Sequence, residues 1–550
     1  MSRLSQKFQE KNTTIIWLFL IIALATVLRF YHLDLNPSSL SWDEASIGYN
    51  AYSITRTLKD EHGRFLPYDY FAAFGDYKPP VSIYLTALSI KLFGFSTWAI
   101  RFPSAFLGVL TVLLTFFLCE ELRRHFNVKT LTSNFSLLAS FVLAISPWHT
   151  LLSRAEFEAN IATFLIVLGL LLFLKGLKKG WYLLFAMTSF AAAIYTFNSA
   201  RLFLPLFAIG LAVFTWKDLW QKKKFVVLSL ILGFIVLLPL LPHLLSPLGR
   251  LRFQEVNIFT DASVVEKSNA RIAADNNVWW SKIINNRRIG YSLLFLERYF
   301  DHFNTDYLFF TGDINPKFST RTNGQFFLIE VIFLICGTYF LWKKEKKLTA
   351  FLFFWLLIGL IPASTARETP HALRTEISLP TWQLISSAGL YYLYSLFHGR
   401  GKKIFAGFLA VILFWEFTLY LHNYYVHYPK EYSQDWEYGY KLAAEKTMSY
   451  KDKYDTIWVS EKYGRPYIFF LTYQKYDPAK FQTEAKVTID SFGFYHVEAF
   501  DKYVFGSLGK AKLSGKTLLI DAPDEIPASA HKIEDLNFLS GEKALEIAEL

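Results

Sequence analysis

The feature that most constrains this chain is a series of long, almost uncharged apolar runs along most of its sequence. An apolar run of about 20 residues can cross the hydrocarbon core of a bilayer as a helix. Eleven runs approach this length: 13–28, 102–119, 134–150, 160–175, 181–197, 201–216, 225–242, 326–342, 348–362, 377–397 and 404–421. The sequence therefore predicts a polytopic α-helical membrane protein with about eleven spans, within a range of about eleven to thirteen.

The composition excludes other broad classes of protein. Of 550 residues, 53% are apolar and 18% aromatic, while only 19% are charged. This balance excludes a disordered chain and differs from that of a soluble globular protein. Two cysteines exclude a disulfide-rich scaffold. The net charge of +11 is expected in loops on one side of the membrane and does not indicate a nucleic-acid partner.

The distribution of cations predicts the orientation. One shorter apolar run, 81–95, contains Lys91. If this run does not cross, the basic clusters at 123–129, 175–179, 217–224, 343–347 and 400–403 all lie on the side of the N-terminus, as the positive-inside rule requires. We therefore expect a cytoplasmic N-terminus and a juxtamembrane or re-entrant helix at 81–95. A true span in a set of twelve is the alternative.

This orientation defines the expected domains. Residues 1–422 would form a transmembrane catalytic domain with a first outer loop at 29–100 and a large outer loop at 243–325. Residues 423–550 would form a small extracytoplasmic α/β domain. Its sequence predicts a helix at 434–448 and strands at 456–460, 467–473, 487–490 and 518–521.

Carboxylates occur at the predicted outer face in two motifs. The first is Ser41-Trp42-Asp43-Glu44, just beyond the first span. Ser41 and Glu44 have the spacing of a helix capping box, and Asp43 suits a helix N-terminus. The same carboxylates could serve as a general base or bind a metal. The second motif is 153–160, where Glu158 and Asn160 could either start a helix or contribute to a site.

Cations occur at the same predicted face. Lys78 precedes Pro79-Pro80, and Arg201 and Arg374 lie at outer helix ends. Lys78 could be an interfacial lysine whose stem lies along apolar surface. Arg residues on the outer face run against the positive-inside bias, so they require an explanation. Cations beside carboxylates suit the transfer of a sugar from a lipid phosphate, with the cations binding phosphate and a carboxylate accepting a proton.

The motifs resemble those of the GT-C glycosyltransferases, close to family 39, which includes protein O-mannosyltransferases and the lipid A aminoarabinose transferase. The resemblance depends on Trp42-Asp43-Glu44, Lys78-Pro79-Pro80, the segment 101–105, the motif containing Ser153, Arg154 and Glu158, and 371–374. It covers residues 13–240 best. The large lumenal domain inserted between the middle spans of eukaryotic mannosyltransferases has no counterpart here.

The resemblance implies roles for individual residues. Asp43 matches the catalytic base, with Glu44 beside it, and Glu158 matches the second acidic motif. Donor-phosphate contacts are implied for Lys78, Arg201, His371 and Arg374. A cofactor is not required, although Asp43, Glu44 and Glu158 could together hold a divalent cation.

The resemblance also implies the partners and the location. The donor would be a polyprenyl-phosphate sugar, transferred with inversion to a lipid, glycan or protein acceptor in the cell envelope. The chain would lie among the lipids of a plasma (inner) membrane, with the C-terminal domain outside. The alternatives are a transporter or flippase of lipid-linked sugars, and a membrane scaffold. A transporter favours repeated halves and charges near the mid-bilayer, and neither is evident in this sequence.

Overall fold

The structure is a computed structural model that describes residues 3–74, 76–247, 249, 257–490, 494–506 and 515–550. The predicted outer loops 29–100 and 243–325 and the predicted C-terminal domain therefore each include residues outside the described part. The α-helices are Arg3–Phe30, Trp42–Thr57, Pro80–Phe93, Thr97–His125, Ser133–Ile145, Pro147–Leu152, Glu158–Lys178, Tyr182–Ile194, Asn198–Gln221, Lys223–Leu237, Leu241–Leu245, Ala262–Ala274, Trp279–Ile284, Arg287–Phe300, Glu330–Lys344, Lys346–Ser364, Ala372–Thr375, Thr381–Leu396, Gly399–His422, Tyr428–Glu431, Tyr438–Thr447, Pro466–Tyr473 and Pro478–Glu484.

Short 3₁₀ or π turns join several of these helices. They are Leu238–Leu240, Ile258–Thr260, Asp301–Phe303, Asp306–Phe310, Glu376–Ser378, Asn423–His427 and Lys451–Lys453. The strands are β1 Phe71–Ala73, β2 Asp76–Lys78, β3 Thr456–Val459, β4 Lys486–Ile489, β5 Tyr495–Phe500, β6 Tyr503–Phe505, β7 Thr517–Asp521, β8 His531–Asn537 and β9 Lys543–Glu549.

The chain divides into two compact units. The helical unit comprises Met1–Leu28, Leu107–Leu152 and Ala159–Tyr420, and the mixed unit comprises Arg29–Phe106, Ser153–Glu158 and Leu421–Leu550. The segment after the last predicted span thus belongs to the same unit as the first outer loop.

The membrane-protein fold predicted from the apolar runs is confirmed. Each of the eleven runs contains an α-helix. Within the described residues, seven helices are long and apolar enough to cross a membrane. Pro80–Phe93, which overlaps the run 81–95 that was expected not to cross, has 14 residues. At 1.5 Å per residue it extends about 21 Å, less than the roughly 30 Å of a bilayer core.

Two helices of the helical unit pack at unusually close range. A Cβ atom at Gly337 would overlap the carbonyl oxygen of Ile385, and one at Gly389 would overlap that of Phe333. Only glycine permits this approach of Glu330–Lys344 and Thr381–Leu396, in the manner common to membrane helices.

The mixed unit contains a seven-stranded sheet in the order β4-β5-β6-β3-β7-β9-β8. β3 is parallel to β6 and β7, and the other pairs are antiparallel. The predicted strands at 456–460, 487–490 and 518–521 are confirmed to within about two residues. The helix predicted at 434–448 is shorter, Tyr438–Thr447. Strands β5, β6, β8 and β9 were not predicted.

The strand predicted at 467–473 is wrong, because Pro466–Tyr473 is a helix. A short run that is apolar at every position does not distinguish a buried strand from a buried helix. Pro466 at the start favours the helix because its ring fixes φ near the helical value. Residues 466–472 are all buried, so every side of the helix is covered.

A buried carboxyl in the first loop makes the stability of the fold depend on pH. Glu61 accepts a hydrogen bond from Asn50 Nδ2 at 2.9 Å and is fully buried. Burial raises its pKa from 4.5 to about 8. Between these values the folded chain binds a proton that the unfolded chain releases, so the free energy of unfolding falls as pH rises through this window. The decrease should be about 3–5 kcal/mol, at 1.36 kcal/mol per pKa unit.

The Glu61→Gln variant should remove this pH dependence, since the amide resembles the protonated acid and stays neutral. The measurement is thermal or denaturant unfolding between about pH 5 and pH 8, a range that lies between the pKa of Glu61 in the unfolded chain and its pKa in the folded chain. Glu445→Gln, on the exposed side of Tyr438–Thr447, is the matched control and should keep the wild-type slope. An unchanged slope in Glu61→Gln would show that Glu61 does not cause the dependence.

Candidate active site

Asp43 lies in the first turn of a capped helix. The predicted capping box is confirmed: the Glu44 N–H donates to Ser41 Oγ at 3.3 Å, and the Ser41 N–H donates to Glu44 Oε2 at 3.0 Å. The helix N-terminus stabilises the Asp43 carboxylate through its dipole. The Asp43 side chain is 40% exposed. A fixed backbone thus presents a carboxylate that solvent or substrate can reach.

Packing within the mixed unit holds this helix start. Tyr473, at the end of Pro466–Tyr473, accepts a hydrogen bond from the Leu40 N–H at 2.9 Å and lies 2.9 Å from Ser39 Oγ. Thr472 Oγ1 donates to the Ala45 carbonyl at 3.2 Å. The C-terminal segment therefore braces the segment around Asp43.

Lys78 connects three carboxylates. It ends the hairpin β1–β2, paired with Phe71, and Pro79 and Pro80 follow. Its ammonium lies 2.7 Å from Asp43 Oδ1, 3.5 Å from Asp76 Oδ2 and 3.7 Å from Glu158 Oε1. The Lys78 side chain is only 6% exposed.

The charge of Lys78 is secured by these neighbours. Burial acts to lower its pKa, but the carboxylates of Asp43, Glu158 and Asp76 outweigh burial and raise the pKa above the usual value. The side chain therefore remains an ammonium at neutral pH and holds the Asp43 carboxylate in one orientation.

Glu44 does not join this cluster. Its carboxylate is fully buried and accepts hydrogen bonds from Arg101 Nε at 2.8 Å and Arg101 Nη2 at 3.1 Å. The Glu156 N–H also donates to it, at 3.0 Å. The remaining Arg101 donors bind the carbonyls of residues 33, 37 and 39. This geometry makes Glu44 a candidate positioning residue rather than a group in reach of substrate.

Two further residues of the second acidic motif are also buried. Arg154 donates to Tyr424 Oη at 3.0 Å and to the carbonyl of Tyr31 at 2.7 Å. Glu156 accepts from the Ser104 N–H and from Thr86 Oγ1, both at 3.2 Å. Burial raises the Glu156 pKa well above its usual value, which favours the protonated acid. Only Glu158 of this motif reaches Lys78 within salt-bridge distance.

The helical unit contains the other sequence-predicted residues. His371 lies next to Asp313: its Nδ1 is 4.0 Å from Asp313 Oδ2, and its ring stacks on Phe318 at 5.0 Å. The backbone N–H of His371 donates to His302 Nε2 at 3.3 Å, with the tautomer assigned from that contact. Burial lowers the pKa of His371 well below its usual value, and the Arg374 charge lowers it further. His371 is thus neutral at pH 7 and could contact a phosphate only through an N–H group.

Arg374 lies one turn further along, in the short helix Ala372–Thr375. Burial lowers the pKa of His302 to about 4, with a smaller contribution from the charge of Arg374. Burial raises the pKa of Asp313 to about 6. Arg201 lies near the start of Asn198–Gln221, and its Nε donates to the Ile194 carbonyl at 3.4 Å.

The predicted metal ligands do not fit a metal ion as one set. Among the residues that the structure describes, no three His, Cys, Asp or Glu side chains converge closely enough to hold one. Glu44 faces Arg101, and the Lys78 ammonium lies between Asp43 and Glu158. We therefore derive no step through a metal at these residues.

Comparison with known proteins fits this arrangement. Residues 77–243 match the family described as dolichyl-phosphate-mannose-protein mannosyltransferase. The structure superposes on ArnT from Cupriavidus metallidurans bound to undecaprenyl phosphate with a TM-score of 0.55, covering 97% of this chain and 98% of ArnT at 12% identity. The chain therefore shares the fold of ArnT over almost its whole length. At such low identity, the likeness to ArnT shows a shared fold and nothing more.

Other similar proteins include two candidate mannosyltransferases from Bacillus subtilis (strain 168). YycA is 26% identical over 39% of this chain, and YkcB is 26% identical over 36% of it. These matches span only 30% and 26% of the relatives' own length. The Archaeoglobus fulgidus oligosaccharyltransferase tethered to an acceptor peptide gives a TM-score of 0.51 at 14% identity, covering 85% of this chain and 63% of the other.

Sequence reasoning omitted two residues that organise the cluster. Asp76 was not assigned to the site, although it lies two positions before Lys78 and alternate residues of a strand share a face. Arg101 was noted only as part of a motif. Its partner Glu44 is distant in sequence, so no local pattern could have predicted their pairing.

Proposed function

We propose that this chain is a membrane glycosyltransferase of the GT-C superfamily, which transfers a sugar from a polyprenyl-phosphate-linked donor to an extracytoplasmic acceptor, with inversion and with Asp43 as general base. The observation that carries the proposal is the Asp43 carboxylate, which is partly exposed and hydrogen-bonded to a buried ammonium. A base must be accessible to the acceptor and held in one geometry. Of the carboxylates around Lys78, Asp43 is the most exposed.

We infer the following reaction, which this geometry supports. An acceptor hydroxyl would donate its proton to an Asp43 carboxylate oxygen as its own oxygen attacks the anomeric carbon. The bond from that carbon to the phosphate oxygen breaks, and the phosphate leaves with the bonding electrons. Attack from the face opposite the leaving group inverts the anomeric centre. Lys78 would hold Asp43 and balance part of the negative charge of Asp76 and Glu158.

The donor class is supported by the relatives. The description of the matching family names dolichyl-phosphate-mannose, and the similar ArnT structure contains undecaprenyl phosphate. By resemblance we assign Lys78, Arg201, His371 and Arg374 as candidate donor-phosphate contacts. The carboxylates around Lys78 already engage its charge, so Arg374, which can bind phosphate with two parallel hydrogen bonds, is the stronger candidate.

The Arg374→Ala variant should raise the apparent donor KM about tenfold or more, since a hydrogen bond to a charged group contributes about 1.5–3 kcal/mol. The acceptor KM and the unfolding temperature should change little. Steady-state kinetics with varied donor give the answer, with Arg367→Ala in the same loop as matched control. Donor kinetics equal to wild type would remove Arg374 from the site.

The orientation is proposed from the basic clusters. The loops at 123–129, 175–179, 217–224, 343–347 and 400–403 would face the cytoplasm of a plasma (inner) membrane. The mixed unit would then act on the opposite side, where a lipid, glycan or protein acceptor is available.

A transfer assay tests the proposal. Purified chain in native-like lipid would receive a panel of polyprenyl-phosphate sugars and candidate acceptors, with and without EDTA. Release of free polyprenyl phosphate together with glycosylated acceptor is expected. Movement of a lipid-linked sugar across vesicles without cleavage would instead favour a flippase and contradict transfer. The EDTA arm tests for a metal.

A further inference from the structure

The helical unit contains a cavity that the proposed reaction does not use. Its volume is about 910 Å³, and the described residues that line it come from Arg3–Phe30, Ser133–Ile145, Thr381–Leu396 and Gly399–His422. Phe414, which lines it, is 72% exposed, so the cavity reaches the outer surface of the membrane helices. A cavity in this position is accessible to lipid chains rather than to water.

The lining is apolar along most of its length. Leu24, Ile145 and Phe417 form part of it, while Asn134 lies near the start of the same helix that Ile145 ends. Asn134 and Ile145 are separated by about 16 Å along the helix axis, at 1.5 Å per residue. This length matches one leaflet, about half of a 30 Å hydrocarbon core. The cavity can therefore accommodate one extended acyl chain.

One end of the cavity is polar and basic. Tyr394, Ser395 and Lys402 line it, and the Lys402 ammonium lies 4.3 Å from the centre of the Tyr394 ring. The neighbours Arg400 and Lys403, near the start of the same helix Gly399–His422, are exposed.

A second basic segment, the last turn of Glu330–Lys344, lies near this end. The Lys343 ammonium is 4.8 Å from the centre of the Tyr339 ring, and that ring is 6.1 Å from Tyr392, at the same end of Thr381–Leu396 as Tyr394. Clusters of cations next to an apolar groove between membrane helices are suited to anionic lipid headgroups.

We propose that this cavity binds an anionic membrane phospholipid, with an acyl chain along the apolar lining and the phosphate diester at Lys402. The choice of a phospholipid over the polyprenyl donor rests on the proposed orientation. The basic loops would face the cytoplasmic leaflet, where anionic phospholipids gather, whereas transfer would occur at the opposite face. The lipid would fill the groove and stabilise the packing of its four helices.

Photo-crosslinking tests the proposal. The full chain would be placed in phosphatidylcholine nanodiscs with a photoreactive phosphatidylglycerol, and labelled peptides identified by mass spectrometry. Label is expected on 133–145 and 391–417. Lys402→Glu should reduce this label at least about fivefold, while Lys402→Arg keeps it. Lys403→Glu, in the same helix but outside the lining, is the matched control and should reduce it less than about twofold.

Two competition arms identify the source of the phosphate. Excess phosphatidylglycerol should displace the label, and excess polyprenyl phosphate should not. Equal labelling by a photoreactive phosphatidylcholine, equal labelling in Lys402→Glu, or displacement by polyprenyl phosphate would each overturn the proposal. Ala406→Trp, which fills the groove, should lower labelling by photoreactive phosphatidylglycerol and by photoreactive phosphatidylcholine. Unchanged labelling in that variant would place the lipid elsewhere. Sugar transfer is not measured, so the proposed reaction is tested separately.

Discussion

Asp43→Asn is expected to transfer sugar about 10²–10⁴-fold more slowly than the wild-type chain, because that is the usual contribution of a general base. The amide cannot accept the acceptor proton at neutral pH. It still fits the first turn of Trp42–Thr57, and its oxygen can still accept a hydrogen bond from Lys78. The decrease should therefore appear in kcat, measured as release of polyprenyl phosphate at saturating donor and acceptor.

Two comparisons separate loss of the base from loss of the fold. The unfolding temperature of Asp43→Asn should stay close to wild type, since Ser41 and Glu44 still cap the helix. Asp69→Asn is the matched control: Asp69 lies in the same loop and pairs with Arg64 at 2.8 Å, outside the cluster around Lys78. It should retain activity within about twofold, well short of the effect expected of a base. A folded Asp43→Asn with wild-type kcat would refute Asp43 as the base.

The largest expected effect on stability is that of Arg101→Met, about 3–5 kcal/mol of unfolding free energy, because removing one partner of a buried ion pair leaves the other charge uncompensated. Arg101 and Glu44 are both fully buried. The variant would also leave the carbonyls of residues 33, 37 and 39 without the donors that Arg101 provides. Denaturant unfolding in lipid nanodiscs measures the change.

An exposed ion pair provides the matched control. Arg124 lies 2.8 Å from Glu121, but its side chain is 64% exposed. Arg124→Met should cost less than about 1 kcal/mol, as exposed pairs usually do. The double variant Glu44→Gln/Arg101→Met should be more stable than Arg101→Met alone, since it removes the stranded charge. Equal stability of Arg101→Met and wild type would show that the buried pair does not hold this loop.

The single variant Glu44→Gln tests the role of Glu44. If Glu44 positions the helix start, activity in Glu44→Gln should fall in proportion to the loss of folded protein, with the pH profile of the remaining activity unchanged. A changed pH profile in fully folded protein would instead place Glu44 among the reacting groups.

Much of the architecture follows from local patterns. The eleven apolar runs all contain helices because backbone groups in a bilayer must be satisfied within the segment itself. The capping box at Ser41 and Glu44 was readable for a related reason, since both partners lie within one turn. The prediction for the run 467–473 was wrong, because an apolar segment buried on every side has no period that distinguishes helix from strand.

The sequence by itself determined the membrane class, the helices that could span it, the capped start that carries Asp43, and the residue types around the candidate site. Each of these depends on interactions within a few residues. Only the tertiary structure decided that Asp43, Asp76 and Glu158 share Lys78, while Glu44, adjacent to Asp43, turns away to Arg101. Successive side chains of a helix point about 100° apart, so neighbours in sequence can serve a reaction and a scaffold separately. Contacts between segments that are far apart in the chain decide which of the two residues takes which role.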